Sequence, residues 1–182
     1  MMLLIKKYFI LLLLANPAFY SAKNKTDDFI DWRAGRKLEW NDYKSKPDPT
    51  SDAAASTTTY LGIEYHFSNN QFTYSITCRF SKNRSWGLYQ TDYILSHEQG
   101  HFDITEIFAR TLNKMMTEYK FNTNTYQDDL RKIYDDIQDE KEKIQNQYDD
   151  ETDYSRKKEK QAEWLKQIEE MLTSLNHFSD YH

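Results

Sequence analysis

Cysteine is almost missing from this chain: Cys78 is the one thiol in 182 residues. It can form no internal disulfide and cannot complete a cysteine-based metal site by itself. Glycine and proline are scarce too, at four and three residues. That excludes collagen-like and Gly/Pro-rich low-complexity architectures. There is no basic excess either. The formal net charge is −5, which argues against a nucleic-acid partner, because phosphates would find little to neutralise them. Nor is there an apolar run long enough to span a bilayer. The longest, "YFILLLLA" from Tyr8 to Ala15, follows Lys6 and Lys7 and precedes the small residues of "NPAFYSA". This is the pattern of a secretory signal peptide over residues 1–22, with cleavage expected between Ala18 and Ala22. The expectation is an exported protein, periplasmic or secreted, with no stable membrane anchor after cleavage.

What remains is rich enough to fold. Hydrophobic residues make up 38% of the chain and aromatics 15%, including 14 tyrosines. A single domain over residues 23–182 is expected. Lys37–Trp40 reads as a short strand, closed by the Pro47-Asp48-Pro49 turn signal. Two alternating segments follow, "TYLGIEYHF" and "QFTYSITCRF", joined by "SNN" as a hairpin. Leu61, Ile63, Tyr65 and Phe67 share one face of the first segment. Phe72, Tyr74, Ile76, Cys78 and Phe80 share one face of the second. From Thr91 to Lys120 the period becomes helical, with Thr91 as N-cap. A second helix is expected over 126–148 and a third over 155–175, with Asp149–Tyr154 as a loop between them. The fold class is therefore α+β: a small antiparallel sheet packed on a helix, then a C-terminal helical hairpin over 126–175.

The first of these helices carries the chemistry. In "LSHEQGHFDITEI", His97 and His101 stand four residues apart, which puts them about 40° apart around the axis and about 6 Å apart along it. Two imidazoles in that relation can converge on one metal ion. Glu98 is turned about 100° from His97, where it can take a proton from a water on the metal without being a ligand. This is the content of the HExxH pattern. Gly100 lies inside the helix, where glycine costs about 1 kcal/mol relative to alanine. That cost is accounted for if another strand or loop approaches there. Asp103 and Glu106 point away from the two histidines.

The run "SWGLYQTDYILSHEQGHFDITEIFAR" resembles the core of a bacterial family of predicted secreted zinc-dependent proteases, long catalogued as a domain of unknown function. In that family a Ser-Trp pair precedes an "LxHEQGHFDI" helix, matched here by Ser85, Trp86 and Leu95 to Ile104. Upstream, "KLEWNDYKSKP" is similar to the family's "LxWxDFxGxP". Downstream, "YDDETDYSRKKEKQAEW" is similar to "YDxETxHGxxxxxQxxW". The resemblance implies a zincin-like fold, one zinc ion on His97 and His101, and a third ligand at the downstream histidine. This chain has Tyr154 at that position, as a third ligand or an oxyanion donor. Asp149, Asp150, Glu151, Asp153, His66 and His177 are the other candidates for the third place.

The function expected is zinc-dependent hydrolysis of peptide bonds in a peptide or protein substrate, with Glu98 as general base. Two rivals stand beside it. One is a zinc-binding relative of weak or no activity that serves as a binding module. The other is an interaction protein that uses its helical hairpin.

Overall fold

The computed structural model describes residues 28–69 and 71–181. The signal peptide expected over residues 1–22 lies outside the described residues. The chain is α+β, with five strands and three α-helices among the described residues. β1 (Phe29–Asp31), β3 (Thr59–Ser68) and β4 (Gln71–Ser81) form an antiparallel sheet in the order β1-β4-β3. β2 (Ala55–Ser56) and β5 (Trp86–Gly87) form a separate antiparallel pair. No helix among the described residues is long and apolar enough to cross a membrane.

Apolar alternation decides which face of the hairpin each residue takes. Leu61 pairs with Cys78, Ile63 with Ile76, Tyr65 with Tyr74 and Phe67 with Phe72, so both apolar sets fall on one face of the sheet. A slip by one residue would turn every one of them to the other face. Against that face lies α1 (Asp92–Glu118), opened by the Thr91 hydroxyl, which accepts a hydrogen bond from the Ile94 amide. Phe102, Ala109, Leu112 and Met116 of α1 join Leu61, Ile76, Cys78 and Phe80 of the sheet in one buried cluster. The opposite side of α1 carries Ile104 and Ile107 into a second cluster, with Tyr148 of α2 (Tyr126–Thr152) and Trp164 and Ile168 of α3 (Lys158–Ser174). α1 is thus the central element, with sheet on one side and the helical pair on the other.

α2 also closes an edge of the sheet. Tyr134 and Gln138 both donate to the Leu61 carbonyl, at 2.7 and 3.1 Å, on the strand that lies at the end of the sheet order. An uncovered edge would be a template for pairing with another chain.

Two expectations are corrected. Lys37–Trp40 is not a strand; the sheet's third strand is Phe29–Asp31, and Trp40–Asp42 forms a 3-10 turn. The Leu38 amide donates to the Gln99 side chain at 2.8 Å, so this segment docks on α1 instead of joining a ladder. The expected loop at Asp149–Tyr154 is also revised. α2 runs on to Thr152, and the break falls at Asp153, Tyr154 and Ser155, which have φ of 51°, 51° and 71°. Three successive left-handed residues without a glycine hold a sparsely populated backbone. α3 accordingly starts at Lys158, three residues later than the pattern suggests.

Candidate metal centre

The two histidines converge as the spacing requires. Their rings lie 4.9 Å apart and nearly perpendicular, at 87°. His97 Nε2 and His101 Nε2 reach the same oxygen, Asp149 Oδ1, at 3.1 and 3.0 Å. One donor atom from each residue fits within 4.8 Å of the others, so His97, His101 and Asp149 form a group that could hold a metal ion. Asp149 sits in the last turn of α2, which crosses α1 at this point.

Each histidine is oriented by a different device. His101 Nδ1 faces Gln145 Oε1, and Gln145 Nε2 donates to the His101 carbonyl at 2.9 Å. With its proton on Nδ1, His101 keeps the Nε2 lone pair aimed at the shared point, the usual outer-shell arrangement for a metal-binding imidazole. His97 instead stacks on Tyr148, with centroids 4.5 Å apart and planes 21° apart. Its Nδ1 is buried and has no hydrogen-bond partner among the described residues. Tyr148 is itself fully buried and donates to the His97 carbonyl at 3.2 Å.

Gly100 makes this packing possible. A Cβ at that position would lie 2.6 Å from Tyr148 Oη and 2.9 Å from Cζ. The close neighbour is therefore an aromatic ring from a helix, not the strand or loop expected. The other residues of the motif have structural partners. Asp103 Oδ1 accepts from Trp32 Nε1 and from Gln99 Nε2, both at 2.7 Å. Glu106 accepts from Arg110 Nε at 2.8 Å and from the Tyr181 hydroxyl.

The charges lean on one another. Burial pulls the His101 imidazole down, but the hydrogen bond and charge of Asp149 outweigh it and push its pKa up to about 9. Burial would raise the Asp149 carboxyl, yet its hydrogen bonds with His101 and His97 hold it well below the ordinary carboxylate range. A metal cation would take the place of the proton shared in this cluster, as binding to histidine and carboxylate ligands generally does. The donor set of two imidazole nitrogens and one carboxylate oxygen fits zinc.

Glu98 is 4% exposed, and its side chain makes no hydrogen bond among the described residues. It lines a cavity of about 650 Å³ together with His97, His101, Asp149, Trp86 and Tyr154. One wall is the small-residue segment Ala53–Thr59 and the other is α2, from Gln138 to Asp149. Tyr154 sits on the wall of this cavity with 49% of its surface exposed, and the guanidinium of Arg156 lies 6.0 Å from its ring centre. Among the remaining third-ligand candidates, His66 and His177 are exposed, on β3 and in the turn after α3. Glu151 accepts from Trp164 Nε1 at 2.8 Å, and Asp153 pairs with Arg156 at 3.3 Å. Asp149 alone of the named acids joins the two histidines. The "YD" at the head of the downstream segment is the signal that marks it.

An α+β frame in which a central helix and the end of its neighbour bring together two histidines and a carboxylate is a candidate metal-binding domain. Residues 22–157 match the model of a family described as "Bacterial protein of unknown function (DUF922)", and the chain belongs to that family. No curated protein and no solved structure matches the chain.

Proposed function

We propose that the protein is an exported zinc-dependent peptidase, with one zinc ion held by His97, His101 and Asp149 and with Glu98 as general base. The observation that carries this reading is a single arrangement. Three donor atoms converge on one point, and a nearly buried carboxylate free of hydrogen bonds faces the same open cavity. Zinc at that point would supply a Lewis acid and lower the pKa of a coordinated water to about 7. Glu98 accepts the proton of the attacking water and passes it to the leaving amine. Gln145 and Tyr148 keep the imidazoles in register during this transfer. Peptide substrates are supported by the cavity wall at Ala53–Thr59, whose small side chains leave room for an extended chain beside the site. Export rests on the basic and apolar N-terminal pattern.

Asp149 also bears on the inactive rival. With a histidine absent at 154, a third donor is still at hand, so the Tyr154 substitution does not by itself reduce the site to a two-ligand binding module. Tyr154, on the cavity wall, keeps its proposed alternative role as donor to an oxyanion.

The test combines metal analysis with a casein or peptide-library assay on the wild type, His97→Ala/His101→Ala and Glu98→Gln. About one zinc per chain, lost in the double variant, together with turnover lost in Glu98→Gln at full zinc content, is the expected result. Equal zinc in the double variant would overturn the site. Turnover that survives Glu98→Gln would overturn the assignment of the base.

A further inference from the structure

A second charged feature lines the same cavity. Lys141, Gln145 and Asp149 recur every four residues along α2 and all face the cavity. The Lys141 ammonium donates to Gln138 Oε1 at 2.6 Å. That amide is fixed in turn, because its nitrogen donates to the Leu61 carbonyl at 3.1 Å. The lysine is half-buried, is held in place by a neutral acceptor, and makes no ion pair among the described residues. Glu142 and Asp48 line the cavity too, but neither carboxylate is within ion-pair distance of it. The other surface lysines that form ion pairs on the helices, such as Lys132 with Asp136 at 2.8 Å, behave differently. A positioned cation with no ion-pair partner, partly removed from water and only weakly attracted by Glu142, is stabilised when an anion arrives.

We infer that Lys141 is a specificity residue that recognises a carboxylate on the bound peptide, at the end of the cavity away from the metal centre. This deepens the peptidase reading and rests on it for the nature of the ligand. The separation along α2 sets the spacing. Eight residues of helix span about 12 Å, and an extended peptide rises about 3.4 Å per residue. The recognised carboxylate therefore lies about three or four residues from the position over the metal centre. It can be an Asp or Glu side chain or the C-terminal carboxylate, since both present the same group. Burial holds the Lys141 ammonium below the ordinary lysine range, and a bound carboxylate would reverse that by favouring the charged form.

Binding tests this without relying on turnover. Fluorescein-labelled, alanine- and serine-rich octapeptides are titrated by anisotropy against the zinc-loaded protein. The peptides carry one internal Asp with an amidated C-terminus, the Asn counterpart with the same amide, or the Asn counterpart with a free C-terminal carboxylate. The variants are Lys141→Met, Lys141→Arg and Lys141→Glu, each checked for zinc content and thermal melting. The wild type is expected to bind at least one acid-bearing peptide about tenfold more tightly than the neutral one. Lys141→Met should erase the preference, Lys141→Arg should restore it and Lys141→Glu should invert it. The preferred acid-bearing peptide identifies the source of the carboxylate. Equal binding of charged and neutral peptides, no peptide binding at all, or a preference that survives Lys141→Met would overturn the inference. If the preference follows Lys141 but no peptide is cut by wild type, the peptidase reading fails and the carboxylate site stands.

Discussion

α1 carries two buried polar clusters, one and a half turns apart, that meet opposite fates. At its N-terminal half, His97, His101 and Asp149 point their donors at one another, and Glu98 beside them has no hydrogen bond among the described residues. Further along, Glu106 is 1% exposed and takes hydrogen bonds from Arg110 and Tyr181. Arg110 goes on to donate to the Leu172 carbonyl at 2.7 Å, and Asn113 accepts from the Tyr74 hydroxyl at 2.9 Å. Both clusters are polar and lie on the core-facing helix. Burial alone therefore does not mark a site. The second cluster answers its own hydrogen-bonding demands and pins the C-terminal tail to the core. The first leaves a gathering of acceptors beside a cavity, which is what a cation and a substrate require.

The widest separation between the clusters should come from paired substitutions read by two assays. Glu98→Gln is expected to lower turnover by at least about a hundredfold, the lower end for loss of a general base, with zinc content and Tm unchanged. Arg110→Met should do the reverse. It leaves the Glu106 charge buried without its partner, a destabilisation of about 3–5 kcal/mol, while the folded fraction still holds its zinc. Thermal melting and metal analysis of both variants check this. If Arg110→Met lowers zinc per folded molecule, or Glu98→Gln lowers Tm by several degrees, the two clusters are not separate.

Packing gives the next effect. Gly100→Ala sets a methyl group 2.6 Å from Tyr148 Oη, and overpacking of this kind costs about 1–3 kcal/mol. Because Tyr148 also backs the His97 ring, the shift should weaken zinc binding as well as stability. Ala109→Gly, on the same helix in the sheet-facing core, should lower stability alone. Chelator competition and denaturant midpoints on the two variants distinguish a glycine that shapes the site from an ordinary helix position.

These contrasts also explain what could be read in advance. The convergence of His97 and His101 was legible because their geometry is set within one helix, where spacing fixes direction. The two hairpin strands were legible because alternation gathers each one's apolar residues on a single face. Asp149 was harder. "DDETDY" looks like a polar linker, and no glycine marks the helix end, because Asp153, Tyr154 and Ser155 themselves adopt the left-handed backbone. The strand at Phe29–Asp31 depends on pairing with the far end of β4, a tertiary choice that no local pattern carries. Helix spacing turns Asp103 and Glu106 away from the two histidines, and Asp103 works instead with its neighbour Gln99. Their task, holding Trp32 and Leu38 against α1, needs the third dimension to be seen.

A smaller effect sharpens the comparison at the orientation of the ligands. Gln145→Leu removes the acceptor for His101 Nδ1, and loss of such a partner typically lowers metal affinity by about 10–100-fold. Asn113→Leu, which removes the amide that holds the Phe178 carbonyl at 3.0 Å, should leave zinc affinity untouched and loosen the tail. Competition with a chelator for the first variant, and limited proteolysis for the second, give the readouts. Unchanged zinc affinity in Gln145→Leu would mean that the His101 tautomer is set without it.

The smallest expected effect is in the pH dependence of the sealed cluster. Burial pushes the Glu106 carboxyl above its ordinary value of 4.5, against the lowering influence of its Tyr181 and Arg110 hydrogen bonds. A carboxyl whose pKa is raised on folding binds its proton more tightly in the folded state than in the unfolded one. Its contribution to stability is therefore fully present below about pH 4.5 and is lost as the pH rises through the folded-state value. Glu106→Gln keeps the shape and removes the titration. The Tm difference between wild type and variant should then favour the wild type more at pH 4 than at pH 7. Parallel melts over that range provide the check. A difference that stays constant with pH would show that Arg110 and Tyr181 fully offset the desolvation of Glu106. A difference that runs the other way would show that the carboxylate form is the one the fold prefers, with the Arg110 and Tyr181 hydrogen bonds outweighing burial.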